Sequence, residues 1–402
     1  MDWKKDLGAQ DSKYYEWFNI FAAFAVLGSL LTQRPLFLLF AGVIFTFVAA
    51  SKMYDKRVGK KLYIRNERTS VRLFPNNEEK ISIRFQNESF LPIINGELSF
   101  KLEDNVQLDN YEGVLVQGEK KYYVPLSIIG KGETELSLSV KAIKRGVARV
   151  KAIQYVFPHF INFRTIGLYY RRYYQTEIIV YPKPIPVKGL QETYFNTIGD
   201  QRTNISPYED ILNPIGTRDY TSSDPFHRIH WKASVRKQSL QTKVLEKTRD
   251  NTWIFIINIS ASSRLGNTYF TNNIENLLSY VTFVCHFATK MGIPFEIHLN
   301  TQRGKKLFSG QGKEHLKSAL ELLAKVSNQN TLVPFQHLLY KIDHQINRQQ
   351  TVILFGELPD EARIYTAKWT RKGLNVFRVV EHENGATIES TSKVGDGLEH
   401  IQ

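Results

Sequence analysis

The sequence predicts a multidomain chain: an amino-terminal transmembrane helical hairpin, an all-β sandwich-like middle domain and a carboxy-terminal α/β domain. Three observations predict it. Two uncharged apolar runs open the chain. A long stretch with hydrophobic period two follows. Beyond residue 250, short apolar runs alternate with helical patterns. With 402 residues the chain exceeds one typical core. Its 42% hydrophobic and 23% charged composition is that of a folded protein and excludes disordered or collagen-like classes. Boundaries fall at 1–60 for the hairpin and its basic flank, 61–187 for the sandwich-like domain, 188–250 for a polar signature segment and linker, and 251–402 for the α/β domain.

The hairpin comes from Trp17 to Leu31 (WFNIFAAFAVLGSLL) and Leu36 to Ala50 (LFLLFAGVIFTFVAA), separated by Thr32, Gln33, Arg34 and Pro35. Each run is short against the roughly 20 residues that span a bilayer. Tyr14, Tyr15 and Tyr54 extend them into the interface. A secretory signal fits poorly, because acidic residues precede the first run and a second run follows at once. The alternative is a helical hairpin buried in a soluble core. Orientation follows from the basic residues. Lys4, Lys5 and Lys13 precede the first run; Lys52, Lys56, Arg57, Lys60, Lys61, Arg65 and Arg68 follow the second; the turn has only Arg34. Both ends are therefore expected at the cytoplasmic face of a plasma membrane, as a multi-pass protein whose large domains are cytoplasmic. The single cysteine, Cys285, excludes an intrachain disulfide and a cysteine-cluster metal site. It accords with a reducing compartment.

In the middle domain Ile81, Ile83 and Phe85 alternate with polar neighbours, as do Leu98, Phe100 and Leu102, and Leu136, Leu138 and Val140. Turns are expected at Pro75-Asn76-Asn77, Asn95-Gly96, Gly118, Gly130-Lys131-Gly132 and Arg145-Gly146. Gly130-Lys131-Gly132 lacks phosphate-loop spacing and reads as a hairpin turn. The formal charge of +14 implies an acidic partner. Much of it lies between Lys141 and Lys183, where basic residues interleave with Tyr155, Phe157, Phe160, Phe163, Tyr169, Tyr170, Tyr173 and Tyr174. A solvated basic face, an anionic lipid surface and single-stranded nucleic acid all remain open for this region.

The most informative stretch runs from Tyr208 to Glu246. It holds Arg218, Tyr220, Asp224, Arg228, Trp231, Lys232, Ser234 and Arg236. Arg228 and Arg236 can reach Asp219 or Asp224 as bidentate pairs. The set is read either as an ion-pair network stapling a loop or as a docking or ligand surface. His227 and His230 are three apart, with no cysteine near them, and read as hydrogen-bonded or exposed residues rather than ligands.

RDYTSSDPFHRIHWKASVR resembles the signature of the bacterial domain of unknown function 58 family. The family pattern is an Arg-x-Tyr-x-x-Gly-Asp step, then Arg-x-Ile-x-Trp-Lys, then Ser/Thr-Ala-Arg, then Leu-x-Val-Lys and a Glu. Here those places are Arg218, Tyr220 and Asp224, then Arg228, Ile229 (one place early), His230, Trp231 and Lys232. Ser234, Arg236, Leu240, Lys243 and Glu246 follow. Ser223 replaces the usual glycine and Val235 the usual alanine. Two amino-terminal spans, Arg145-Gly146 and Val180-Tyr181-Pro182 also fit the family layout, so the resemblance covers nearly the whole chain. An expected Asp-Pro-Phe-Gly-like segment is reduced to Phe157-Pro158-His159.

In the α/β domain, strands are expected at Trp253–Ile259, Phe295–Leu299, Thr351–Phe355 and Asn375–Val380. Helices are expected at 272–291, 315–326, 335–346 and 359–371. The order implies a parallel sheet covered on both faces. It resembles a von Willebrand factor A-like fold. That resemblance implies a divalent-cation site at Asp-x-Ser-x-Ser, which reads here Asn258-x-Ser260-x-Ser262. The amide lacks the carboxylate charge that Mg²⁺ favours. No Gly-x-Ser-x-Gly elbow, Walker loop or His-Glu-x-x-His occurs, so no catalytic residue is assigned. The family resemblance implies a MoxR-type AAA+ ATPase as partner, with the chain as a membrane-anchored adaptor among other membrane proteins. The alternatives are a Mg²⁺-dependent ligand-binding module at Asn258, Ser260 and Ser262, and a nucleic-acid binder using 141–183. An enzyme with a pocket around Arg218, Asp224, Arg228 and Trp231 would need a nucleophile and base that the segment does not supply.

Overall fold

The computed structural model describes residues 2–6, 11–65, 68–116, 119–199, 209–247, 252–262, 268–302, 306–327, 330–346, 350–383 and 385–391. Gly118 lies outside them. The chain forms two compact units, Met1–Pro182 and Lys183–Gln402.

The first unit opens with two helices, α1 (Asp11–Thr32) and α2 (Leu36–Arg57). Ser29 Oγ donates to the Arg34 carbonyl at 3.2 Å, closing the turn between them. Pro35 starts α2, where its missing N–H costs nothing. Lys56 and Arg57 sit in its last turn, the favourable end for positive charge. Leu36–Arg57 is long and apolar enough to cross a membrane; the apolar stretch Tyr15–Leu31 of α1 is shorter. Apolar side chains of both helices point outward. Phe21, Phe24, Leu30, Leu39 and Phe45 are all more than 60% exposed. These side chains are not buried in this chain's own core, but only one of the two helices is long and apolar enough to cross a membrane, so the expected double pass is not supported.

The rest of the unit is β-rich. A six-stranded sheet has the order Trp3–Asp6, Thr165–Tyr170, Lys151–Pro158, Ile93–Leu102, Glu119–Ile128, Val114–Val116, antiparallel throughout. A four-stranded antiparallel sheet has the order Leu62–Arg65, Glu78–Asn87, Gly132–Ala142, Val106–Leu108. A third, small sheet joins Gly146–Arg149, Glu177–Val180 and Ser70–Leu73. Ile81, Ile83 and Phe85, with Leu98, Phe100 and Leu102, meet in one core with Tyr122 and Tyr155. This is the period-two pattern expected of half-buried strands.

Two turn assignments change. Asn95-Gly96 is not a turn but a bulge within Ile93–Leu102. Asn95 takes φ +55°, and Gly96 leaves room for the ring of Tyr155, whose hydroxyl donates to the Leu126 carbonyl at 2.8 Å. Gly130-Lys131-Gly132 does not close a hairpin. Glu119–Ile128 and Gly132–Ala142 belong to different sheets, so the turn crosses the core from one to the other. The strand Trp3–Asp6 was not expected. It pairs with Thr165–Tyr170, and Trp3 is buried against Tyr170, ring centroids 5.2 Å apart.

The second unit is α/β. Its seven-stranded sheet has the order Val187–Lys188, Gly385–Ser390, Asn375–His382, Thr351–Phe355, Trp253–Ile257, Phe295–Leu299, Lys306–Gly310. The four central strands are parallel, as the alternating pattern predicts, but two pairs toward the edges are antiparallel. The sheet is therefore mixed, not parallel. A tight turn at Gly385, φ +123°, folds Gly385–Ser390 back on its neighbour, and Lys306–Gly310 is a part-exposed edge strand. The helices are α3 (Leu190–Gly199), α4 (Trp231–Lys237), α5 (Ile274–Lys290), α6 (Lys313–Ala324), α7 (Phe335–Asp343) and α8 (Asp360–Arg371). Trp253, Phe255 and Ile257 pack with α5 and α6; Ile254 and Ile256 pack with α7 and α8. Burial on both faces explains why this strand is a continuous apolar run. Cys285 lies wholly inside the first of these cores, and burial pushes its thiol far up.

Candidate docking site

The signature folds as an antiparallel ribbon, Glu209–Asp219 with Gln241–Lys247, whose tip carries a short 3₁₀ turn, Phe226–Arg228, and α4. Asp224 organises the tip. Its Oδ1 accepts from Arg218 Nη2 at 2.5 Å. Its Oδ2 accepts from the Thr221 N–H at 3.1 Å, Thr221 Oγ1 at 3.0 Å and Thr242 Oγ1 at 3.1 Å. The Arg218 guanidinium, seconded by these donors, holds the Asp224 carboxyl far below the usual carboxylate range. Because the folded value is depressed, its stabilisation is complete above the unfolded value near 4 and is lost as pH falls. Protection factors of the backbone amides of 220–224, with the intrinsic pH dependence of exchange divided out, are thus expected to fall below about pH 4, and Asp224→Asn to remove most of that pH dependence.

The expected pairing of Arg228 or Arg236 with Asp219 or Asp224 is replaced. Asp224 takes Arg218, and Asp219 Oδ1 accepts from Gln241 Nε2 at 2.5 Å. Gln241 is fully buried. Its N–H donates to Ser234 Oγ at 2.9 Å, and that hydroxyl donates to the His230 carbonyl at 3.0 Å. His230 caps α4: its Nδ1 accepts from the Ala233 N–H at 3.2 Å, so the neutral ring carries its proton on Nε2. Ile229 is buried and bridges to Thr242. Tyr220 is half-buried, with its N–H donating to the Leu240 carbonyl at 2.9 Å. Polar bonds thus hold the backbone from 218 to 242 without a large core.

That frame presents an apolar patch. Phe226 and Trp231 meet edge to face with centroids 6.1 Å apart, yet are 68% and 59% exposed. Val235 and Leu240 are also exposed. Lys232, Arg236 and Lys237 lie on the same short helix, and Arg228 on the preceding turn. Trp231, for all its size, does not pack into a core. Of the predicted residues, Arg218, Asp224 and Ser234 build the frame, while Trp231, Lys232 and Arg236 face outward. His230 is hydrogen-bonded, one of the two readings given for it, while Thr221, Gln241 and Thr242 were missed as frame residues. Only the run Gln241-Thr242, polar where a strand repeat calls for alternation, signals them.

The predicted cation ligands lie beyond the strand Trp253–Ile257. Asn258 Oδ1 accepts from the Ser260 N–H at 3.1 Å, Ser260 Oγ at 2.7 Å and Asn300 Nδ2 at 2.9 Å. Asn258 Nδ2 donates to the Glu357 carbonyl at 2.7 Å. Asn300, unforeseen, also donates to Ser260 Oγ and accepts from the Ile259 N–H. Asn258, Ser260 and Asn300 are each at least 95% buried. The side chain of Ser262 lies outside the described set. The donor set does not fit a divalent cation: its key oxygen is already saturated by three donors and no carboxylate joins it. Among the described residues no group of three His, Cys, Asp or Glu could hold a metal.

In the basic 141–183 stretch, Arg149 is paired with Glu177, and Lys151 with Glu103 and Glu119. A surface cavity of about 780 Å³ lies there, lined by Arg68, Arg149, Lys151, Arg171, Arg172 and Tyr173 among others.

No curated protein sequence matches the chain. Three similar solved structures share little with it. A non-cellulosomal cohesin from Archaeoglobus fulgidus is 8% identical, over 34% of this chain and 97% of that one, with a TM-score of 0.20. The sixth cohesin of Acetivibrio cellulolyticus scaffoldin B is 10% identical, over 30% and 97%, at 0.21. BcpA, the major pilin subunit of Bacillus cereus, is 10% identical, over 31% and 40%, at 0.19. Such low scores fix neither fold nor function. The family model described as "Protein of unknown function DUF58" matches residues 216–384, which takes in most of the ribbon, its tip and the central strands of the α/β sheet. Over that segment, and there alone, the chain is similar to the DUF58 family.

Proposed function

We propose that this chain is a membrane-anchored, cytoplasm-facing docking protein that works with a MoxR-type AAA+ ATPase in the assembly or maturation of other protein complexes. The observation that carries the reading is the tip of the ribbon: Phe226 and Trp231 stand in solvent, with exposed Lys232, Arg236 and Lys237 on the same short helix as Trp231, on a backbone fixed by Asp224 and Gln241. Interfaces draw most of their binding energy from such aromatic and arginine anchors. A rigid frame lowers the ordering cost of association. The basic residues select an acidic partner surface. The α2 span and the bias of basic residues to its carboxy-terminal flank support anchoring with the large units in the cytoplasm. In this reading the β-rich unit is sandwich-like and the α/β unit von Willebrand factor A-like. The latter is used as a scaffold without its cation, since Asn258, Ser260 and Asn300 satisfy one another.

The test is co-purification of the ATPase from detergent extracts with the tagged full-length chain. Enrichment over an unrelated membrane bait is expected, and Trp231→Glu is expected to cut it roughly tenfold or more. No enrichment with the unsubstituted chain would sink the proposal.

A further inference from the structure

The loop between Lys151–Pro158 and Thr165–Tyr170 has no role in the ribbon or the α/β unit, yet it is built with care. His159 is fully buried. Its Nδ1 accepts from the N–H groups of Ile161 at 3.0 Å and Asn162 at 3.2 Å, which leaves the proton on Nε2, facing the Ser51 carbonyl of α2 at 3.4 Å. Burial pushes the His159 pKa down, against the pull of the Asp55 carboxylate, whose Oδ1 lies 3.4 Å from Nε2. The Phe163 N–H donates to the His159 carbonyl at 2.9 Å, and the Arg164 N–H to Asn162 Oδ1 at 3.2 Å. The result is a tight loop that holds Phe163 at φ +56°, a conformation that bulky residues avoid. Both of its phenylalanines point outward: Phe160 is 65% exposed and Phe163 80%. A strained, ordered loop that displays two phenylalanines needs an apolar environment to face.

Its position says which one. His159 packs on Tyr54 with ring centroids 4.4 Å apart, and Phe160 stacks on the same ring at 6.5 Å. Arg164 Nη2 donates to Tyr15 Oη at 2.8 Å and lies 3.3 Å from Asp55 Oδ2, while Tyr15 donates to Asp55 at 2.5 Å. Lys5 donates to the Asp55 carbonyl. The loop is thus pinned level with residues 51–55 of α2, about 6 Å below the end of the apolar run at Ala50. That is the depth of the headgroup and upper acyl region. At the same level, on the side of α2 turned away from the loop, Lys52, Lys56, Arg57 and Lys60 line a hollow of about 480 Å³ together with Met53. Among the described residues none of the four basic groups is paired with a carboxylate.

We infer that this loop and the basic hollow form a membrane-surface site: Phe160 and Phe163 enter the interface of the leaflet that the hairpin crosses, and the four basic residues take anionic phospholipid headgroups. The apolar face continues that of α1 and α2, and the charge is complementary to phosphate. The site would fix how the β-rich unit stands on the bilayer, which two helices in a short hairpin cannot do alone. The inference rests on the membrane reading of the hairpin.

The test uses the full chain in vesicles of phosphatidylcholine and phosphatidylglycerol. Cys285 is inaccessible, so a nitroxide placed through Phe163→Cys reports one position. Collisions with oxygen are expected to exceed those with a water-soluble nickel chelate at 163, and the reverse at a Tyr173→Cys control. Spin-labelled phosphatidylglycerol is expected to be immobilised over phosphatidylcholine by roughly threefold or more, and serine at 52, 56, 57 and 60 to abolish that preference. A Leu27→Cys label separates the two claims. Lipid exposure at 27 with nickel access at 163 equal to that at 173 would overturn the loop site alone. Water exposure at 27 would overturn the membrane reading and this inference with it. A label at 163 shielded from both reagents would mean burial against protein, and would also overturn it.

Discussion

Asn258→Asp is expected to destabilise the α/β unit by about 3 kcal/mol, although it restores the acidic residue that a cation site would call for. The Asn258 amide both donates and accepts: Nδ2 reaches the Glu357 carbonyl, and Oδ1 takes three donors. A carboxylate keeps the second role and fails the first. It puts a charge against the Glu357 carbonyl at a site 97% buried. The loss should appear as a fall in melting temperature of about 2–4 °C per kcal/mol, read in detergent. Asn300→Ala should cost a similar amount, because it strips a partner from the Ile259 N–H, Asn258 and Ser260 at once. Mg²⁺ should leave the melting temperature of the unsubstituted chain unchanged. Full recovery of Asn258→Asp by Mg²⁺ would contradict the account, since it would make the network a cation cradle.

Gly96→Val should have the largest effect on the β-rich unit. A Cβ at residue 96 would fall within the ring of Tyr155, which is fully buried and bonded through its hydroxyl to Leu126. Tyr155 also packs on Phe85 and Phe157 at centroid distances of 6.4 and 5.5 Å, so it has nowhere to retreat. Overpacking of this kind costs about 3 kcal/mol or more. Hydrogen exchange should speed up along Ile93–Leu102 and Lys151–Pro158 together, the two strands that the ring joins. Asn95→Gly, one residue away at φ +55°, should be neutral or mildly stabilising. Equal damage from both substitutions would show that the bulge, and not the ring, sets the requirement for glycine.

Much of the architecture was legible because burial writes itself into spacing. The strand Thr351–Phe355 was read to the residue, and the run Trp253–Ile259 was recognised as covered on both faces, although the strand ends at Ile257. The misreadings share a cause. Asn-Gly and Gly-Lys-Gly mark local backbone conformation, which a bulge and a crossover satisfy as well as a hairpin does. Which strand pairs with which is set by the core, far away in sequence. The edge strand Lys306–Gly310 and the strand Gly385–Ser390, one place in from the other edge, were missed because short, part-exposed strands carry little periodicity. In the signature, residue types were read correctly but partners were not. Arg228 and Arg236 were read as mates for Asp219 or Asp224, and only the fold of the tip shows that Arg218 takes Asp224. Trp231 was read as a signature residue, but its exposure, the feature that suggests docking, is visible only in the fold.

The docking claim is tested most directly by a photo-reactive amino acid at Val235, which is 79% exposed beside Trp231. Irradiation of intact cells should join the full-length chain to the AAA+ ATPase, and Trp231→Glu should suppress the adduct. An adduct with some other protein that survives Trp231→Glu, or none at all while the ATPase is present, would contradict the account.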